Sequence, residues 1–463
     1  MHIKSENQLN NYIYIFFFIS IWFCLDTNFY NILSFKEDNN IKNFFLSLRA
    51  IFPLIFFFCF LFYFNFKIEF LTNNKSLNFI LLIYSLYFFF QLPGLLLTEN
   101  SLINSYYAII SLIAIFSVAA SYNKIFNKNT FYIISFIILT PVVFIYGYLS
   151  WEWIVKTHNI NMYGTFPQVF VDVGSFSTNV IRSSGLARST MILIIPLFFW
   201  LLIQPIKSLY LFFYLFLGSI IYLTQSRIVL LFYFSFLIFS FVYLMWNKSL
   251  KQKIIKIFVL GLLPILIVNL TLLVKEEMRA GFISKRLGIE YNKERSTKFF
   301  REYNKKFDFF LEADTKFQDP ENYIRNLDPK TFTSNRFGYW RSIIHKSNEP
   351  IFGYGVLGDR FLINFNSANT LVYSYASGGL ISLILMMIIL LRYTYLCIHS
   401  IFFRKIHLKK ENIVLLSSIF TMSFLMLRGI AEVGIGVFSI DFLIFLSCLI
   451  VLEENLKKLD EKR

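Results

Sequence analysis

Uncharged apolar runs of bilayer-crossing length recur along this chain, and a soluble fold of this length could not bury them all. Residues 7–25, 50–66, 76–98, 101–123, 129–151, 189–206, 208–226, 228–247, 257–274, 361–391 and 412–427 carry no charged side chain, and 433–452 carries only Asp441. A helix needs about 20 mostly apolar residues to cross the hydrocarbon. Backbone polar groups in lipid must be satisfied within the segment, which makes the helix the default. The expected fold is all-α: a polytopic membrane protein with about twelve transmembrane helices, read as a single membrane domain over residues 1–463. Hydrophobic residues make up 56% of the chain and mean hydropathy is +0.58, which argues against a soluble enzyme. No small-x-small site follows the first run, where Asp26-Thr27-Asn28-Phe29 stands, so that run is expected to be a retained helix. The four cysteines, Cys24, Cys59, Cys397 and Cys448, all lie in apolar runs and suggest neither a disulfide framework nor a metal site. The 59 phenylalanines read mainly as lipid-facing filler.

Lysine and arginine set the orientation. With the N-terminus inside, the even-numbered turns hold Lys67 and Lys75, Lys124 and Lys128, Lys207, then Lys248, Lys251, Lys253 and Lys256, then Arg404, Lys405, Lys409 and Lys410. The tail holds Lys457, Lys458, Lys462 and Arg463, so both termini are expected in the cytoplasm. The net charge of +16 then serves to anchor the chain and to attract anionic membrane lipids. No basic stripe lies in a soluble domain, so no nucleic-acid partner is expected. Two outer loops are long, about 152–187 and 275–360. The second holds 17 Lys/Arg and 13 Asp/Glu, and long loops translocate regardless of charge. Within it, 291–314 sets Phe299, Phe300, Tyr303, Phe307, Phe309, Phe310 and Leu311 among charges, a pattern suited to an amphipathic helix on the membrane or over a site.

This topology strands Arg182, Arg188, Arg227 and Arg428 at outer helix ends, where cations are scarce. An anionic group on a lipid-linked substrate would satisfy them. Arg188 would serve equally as an interface anchor. The large loop ends in Thr333-Ser-Asn-Arg-Phe-Gly-Tyr-Trp-Arg-Ser-Ile-Ile-His-Lys-Ser-Asn-Glu-Pro-Ile-Phe-Gly-Tyr-Gly-Val-Leu-Gly358. Ser334 or Asn335 can cap a short helix on which Phe337, Trp340 and Ile344 share a face, with Arg336 one turn before Trp340. Asn348 and Pro350 end it, and Gly353, Gly355 and Gly358 form a loop whose amides could approach an anion or a sugar. A plain surface helix and glycine turn would have the same composition.

The stretch resembles the bacterial O-antigen polymerase and O-antigen ligase superfamily, in which Arg, a nearby Trp and Asn-x-Pro-x-x-Gly-x-Gly precede a late membrane helix. Three further matches follow the same order. Arg182-Ser-Ser-Gly185 resembles an Arg-x-x-Gly motif. Gln225-Ser-Arg227 resembles a Ser-Arg motif at a helix start. Asn369-Thr-Leu with Gly378-Gly379-Leu resembles an Asn-x-x-Leu…Gly motif. The resemblance covers about residues 180–390. It implies transfer of glycan from undecaprenyl diphosphate at the outer face of a bacterial inner membrane, with Arg182 and Arg227 on the diphosphate. Guanidinium forks suit phosphate oxygens, and fixed cations stabilise a leaving diphosphate. No cofactor is expected. His158, His345 and the carboxylates show no metal-ligand spacing, so metal-independent chemistry is expected. A partner that sets chain length would accompany such a polymerase.

Ligases of this superfamily carry His just before the Asn of the late motif; here Ser367-Ala368 precedes Asn369. That favours polymerisation of O-antigen or capsule repeat units over transfer to lipid A-core. Candidate proton acceptors are Glu432, His345 and Asp172. Glu432 stands four residues after Arg428, a spacing that also makes a plain salt bridge. His345 and Asp172 also read as solvated loop residues. Asp441, costly inside an apolar run, needs a partner such as Arg428. Arg336, Trp340, Arg341, Gly353, Gly355 and Asn369 would shape the glycan cavity, and Arg341 and Arg360 would steer the diphosphate or pair with Glu349 and Asp359. A flippase of lipid-linked oligosaccharides fits the helix count but not the arginines gathered on one side.

Overall fold

The computed structural model describes residues 2–22, 39–64, 71–125, 127–157, 183–205, 207–224, 226–246, 255–267, 336–364, 366–402, 406 and 408–460. The proposed amphipathic segment 291–314 and most of both long loops, Asp172 and Arg182 included, lie outside the described residues. The described residues form α1 (His2–Trp22), α2 (Asn39–Tyr63), α3 (Lys75–Phe89), α4 (Leu92–Leu97), α5 (Ser105–Tyr122), α6 (Asn129–Thr157), α7 (Ser183–Ile203), α8 (Ser208–Thr224) and α9 (Arg227–Trp246). Then come α10 (Ile255–Ile267), α11 (Arg336–Lys346), α12 (Gly358–Ile363), α13 (Thr370–Phe402), α14 (Ile413–Gly429) and α15 (Ile440–Asp460), with no strand among the described residues. The all-helical expectation is met.

Among the described residues, five stretches are long and apolar enough to cross a membrane: Lys75–Leu97, Leu102–Tyr122, Gly185–Ile203, Thr370–Ile401 and Lys410–Gly429. The apolar stretches found in the other helices are shorter, from Leu9–Trp22 to Ile255–Ile267. Registers also differ from the uncharged runs. The run 361–391 is split: α12 ends at Ile363, and α13 runs from Thr370 past Arg392 to Phe402. A charge in sequence marks the end of an uncharged run, but a helix passes through a charge that has a partner.

The chain forms two compact units: Met1–Val143 with Ile195–Pro205 and Arg336–Arg463, and Phe144–Ile194 with Ile206–Asn335. In the first unit α15 is the central helix. From Phe442 to Leu452 no residue is more than 1% exposed, so the helix is apolar on every side and enclosed by others. Many phenylalanines pack between helices here instead of facing lipid. Phe17 stacks on Phe60 at 4.2 Å, and Phe442 packs edge-on against Phe88 at 5.2 Å. Between helices already in lipid, such close packing supplies the stabilisation that water supplies elsewhere. The two acids of α15 nearest its apolar core each meet an arginine: Asp441 meets Arg428, and Glu453 meets Arg392 at 2.7 Å. Glu453 also accepts hydrogen bonds from Ser76 (2.6 Å) and Tyr393 (2.8 Å), tying α3, α13 and α15.

In the second unit, Tyr214 and Tyr233 on α8 and α9 share a hydroxyl contact at 3.1 Å, and Tyr233 donates to the Leu260 carbonyl of α10 at 3.3 Å. Phe144 of α6 stacks on Phe216 of α8 at 5.3 Å.

Helix α13 is broken near its start. Gly378 (φ −131°, ψ 19°) and Gly379 (φ 63°, ψ −157°) leave the helical region. The broken ladder is completed by the glycine loop. Tyr354 N–H donates to the Ala376 carbonyl, Gly355 N–H to Ser377 and Leu380 N–H to Pro350, each at 2.8 Å. Non-helical backbone at this depth persists because protein groups satisfy it. A Cβ at Gly379 would overlap the Ile351 carbonyl, so the approach requires glycine.

Candidate functional site

The glycine-loop end of the first unit gathers most of the residues that the late motifs single out. Asn348–Pro350 terminates α11, and the Asn348 N–H donates to the Tyr354 hydroxyl at 2.6 Å. Asn100, after α4, donates to the carbonyls of Tyr354 (2.8 Å) and Val356 (3.1 Å). Gly353 and Gly355 are buried, with φ of 63° and 83°. Their amides are occupied, Gly353 by the Glu349 carbonyl within the loop and Gly355 by the Ser377 carbonyl of α13, so neither opens toward a ligand.

Helix α11 packs differently from its expected face. Ile343 is fully buried, whereas Phe337 and Ile344 are 62% and 58% exposed. Trp340 turns inward with Ile343, and its indole N–H donates to the Ser367 carbonyl at 2.7 Å. The polar tip of Trp340 finds a carbonyl on that side, so the inward face is the one through 340 and 343. Arg336 is half-buried, and Arg341 and His345 are exposed on the same helix.

From Ser367 the chain enters α13 through Ala368, at φ 48°. The buried Asn369 caps the helix: its side-chain oxygen accepts from the Leu371 and Val372 amides at 2.9 and 3.0 Å. Its side-chain nitrogen donates to the Ile430 carbonyl at 2.9 Å. Asn369 is therefore a structural clamp between α13 and the segment after α14. Thr370 adds a bond to the Glu432 carbonyl at 3.0 Å.

Arg428 ends α14 and is 6% exposed. One arm pairs with Asp441 and the other lies 3.7 Å from Glu432. Both pairings read from sequence are present. The three formal charges sum to −1, so this arginine faces carboxylates on two sides, an arrangement that does not attract a diphosphate. Glu432 keeps 29% of its side chain exposed, while Asp441 keeps 2%. Asp359 is buried at the same end, accepting from the Ser367 amide at 2.8 Å and the Arg360 amide at 2.9 Å. Burial pushes its carboxyl above the usual aspartate range, and those hydrogen bonds offset part of the shift.

Arg188 is half-buried on α7, and Arg227 is the first residue of α9; both belong to the second unit. The Arg227 side chain lies outside the described residues, as do Arg182 and Asp172. Among the described residues, no three His, Cys, Asp or Glu side chains gather as metal ligands. Sequence reasoning missed Tyr84 and Tyr87, which donate to the Ile435 (2.5 Å) and Gly436 (2.8 Å) carbonyls from within an apolar run. Nothing in their spacing marks them. The fold and this site define a helical membrane protein with a largely buried ion-pair cluster at one end of its first unit. Comparison with protein-family models and with curated proteins finds no match.

Proposed function

We propose that the protein is a membrane glycosyltransferase that polymerises oligosaccharide repeat units carried on undecaprenyl diphosphate, at the outer face of a bacterial inner membrane. The observation that carries this reading is the convergence at the glycine-loop end. Trp340, Ser367–Asn369, the glycine loop with Gly378–Gly379, and the Arg428–Glu432 pair are linked in series by hydrogen bonds and an ion pair at one end of the first unit, where the Glu432 carboxylate stays part-exposed. The substrate is an extracytoplasmic O-antigen or capsule unit. The resemblance assigns the donor diphosphate to Arg182 and Arg227. Glu432 is the proton acceptor for the attacking sugar hydroxyl. His345 sits on the exposed face of α11, away from these clamps, and is the weaker candidate.

The test is reconstitution of the full chain with a lipid-linked repeat unit, with products resolved by length. A ladder of lengthening glycans is the expected result. A single unit that never grows would overturn the reading. Transfer only to lipid A-core would mark a ligase, and movement across the vesicle without growth would mark a flippase. Removing one guanidinium from a leaving diphosphate costs on the order of 10²–10³ in rate. Arg182→Ala and Arg227→Ala should each shorten the ladder to that extent, and a wild-type ladder from either would remove that residue from the donor site.

A further inference from the structure

We infer that Asp441 is a positioning residue which, through Arg428, orients the part-exposed carboxylate of Glu432 for proton transfer. The inference rests on the proposed glycosyl transfer. In that step the sugar hydroxyl oxygen bonds to the donor's anomeric carbon. The bond from that carbon to the diphosphate oxygen breaks, and undecaprenyl diphosphate leaves with the electron pair. The hydroxyl proton passes to Glu432.

Three observations carry the positioning role. First, the segment that bears Glu432 is held at its backbone. The carbonyls of Ile430, Glu432, Ile435 and Gly436 each accept a side-chain donor, from Asn369, Thr370, Tyr84 and Tyr87 respectively. Four bonds over seven residues leave the Glu432 side chain as the movable part. Second, that side chain has one cationic neighbour in the described structure, Arg428 at 3.7 Å, and Arg428 is itself oriented by the buried Asp441. A guanidinium is a planar fork, so fixing one arm fixes the direction of the other. Third, Gly434 makes room for the pair. A Cβ there would overlap the Asp441 carboxylate. Ser439 donates to the Gly434 carbonyl and accepts from the Phe442 amide at 3.2 Å, which closes the turn around it. The geometry is that of a built ion pair with one open carboxylate, not of a surface salt bridge.

The experiment is a double-mutant cycle on the reconstituted full chain, with kcat and KM for chain extension measured on an undecaprenyl-diphosphate-linked repeat unit. Glu432→Gln should lower kcat by about 10²–10⁴-fold with KM unchanged. Asp441→Asn should lower kcat by about 10²-fold, the cost of misplacing a group by about 1 Å. The double variant should be no slower than Glu432→Gln, because Asp441 acts only through Glu432. A purely structural role would instead give additive losses, and additivity overturns the inference. Should Asp441→Asn not accumulate as folded protein, Arg428→Lys replaces it in the cycle, keeping the charge and losing the fork. Full kcat in Glu432→Gln overturns the inference on its own. A wild-type chain that extends nothing sinks the proposed function and takes this inference with it.

Discussion

At the scale of single residues, buried charge decides most of the argument. Asp441 was conspicuous in sequence because it is the one charge in an otherwise apolar run, and its partner lay within reach in Arg428. Removing one member of a buried pair leaves the other uncompensated, at a cost of about 3–5 kcal/mol. Asp441→Ala should therefore lower the thermal midpoint in detergent far more than Glu432→Ala, since Glu432 is part-exposed and screened. Equal midpoints would contradict that ranking. Asp359 makes a prediction of the other kind. Its carboxyl is raised by burial, so the folded protein favours the neutral form. The stability this confers is full below the ordinary aspartate range and is lost as pH rises through the elevated value. Asp359→Asn should flatten the decline of the thermal midpoint across that window. An unchanged slope would exclude Asp359 as its source. What sequence did not disclose at this scale was direction: Phe337 and Ile343 are equally apolar, and only the carbonyl that receives the Trp340 indole decides which face turns inward.

At the scale of elements, the break in α13 was half-legible. Gly378-Gly379 stood out as a motif, but periodicity reads a glycine pair in an apolar run as weak helix, not as a gap filled by another segment. The filling depends on loop 350–355, which no local rule connects to residues 376–380. Gly379→Ala combines a left-handed φ, worth roughly 1–2 kcal/mol for an L-residue, with overlap on the Ile351 carbonyl. It should destabilise by at least that much, read as a drop in midpoint and in folded yield. A wild-type melt would mean that the loop does not dock there. Arg392 shows the same limit in reverse. It looked like the end of a span because its counter-charge lies on another helix.

At the scale of the whole molecule, composition was enough for the helical class, whereas the division into two units depends on contacts between distant helices and left no local trace. Sidedness, read from lysines, is testable. The glycine-loop end holds Glu349 and the opposite end holds Glu411, at the far ends of the helices between them. In a background lacking the native cysteines, Glu349→Cys should react with an impermeant maleimide on intact cells, and Glu411→Cys only after permeabilisation. The reverse pattern would invert the topology. The ion pairs at the two ends of α15 also bear on the order of synthesis. Asp441 follows Arg428 by 13 positions, so that end closes almost as soon as α15 begins to emerge. Arg392 precedes Glu453 by 61 positions. A nascent chain therefore carries an arginine in α13 without its counter-charge until α15 is made, and α13 reaches its paired state only after α15 has emerged.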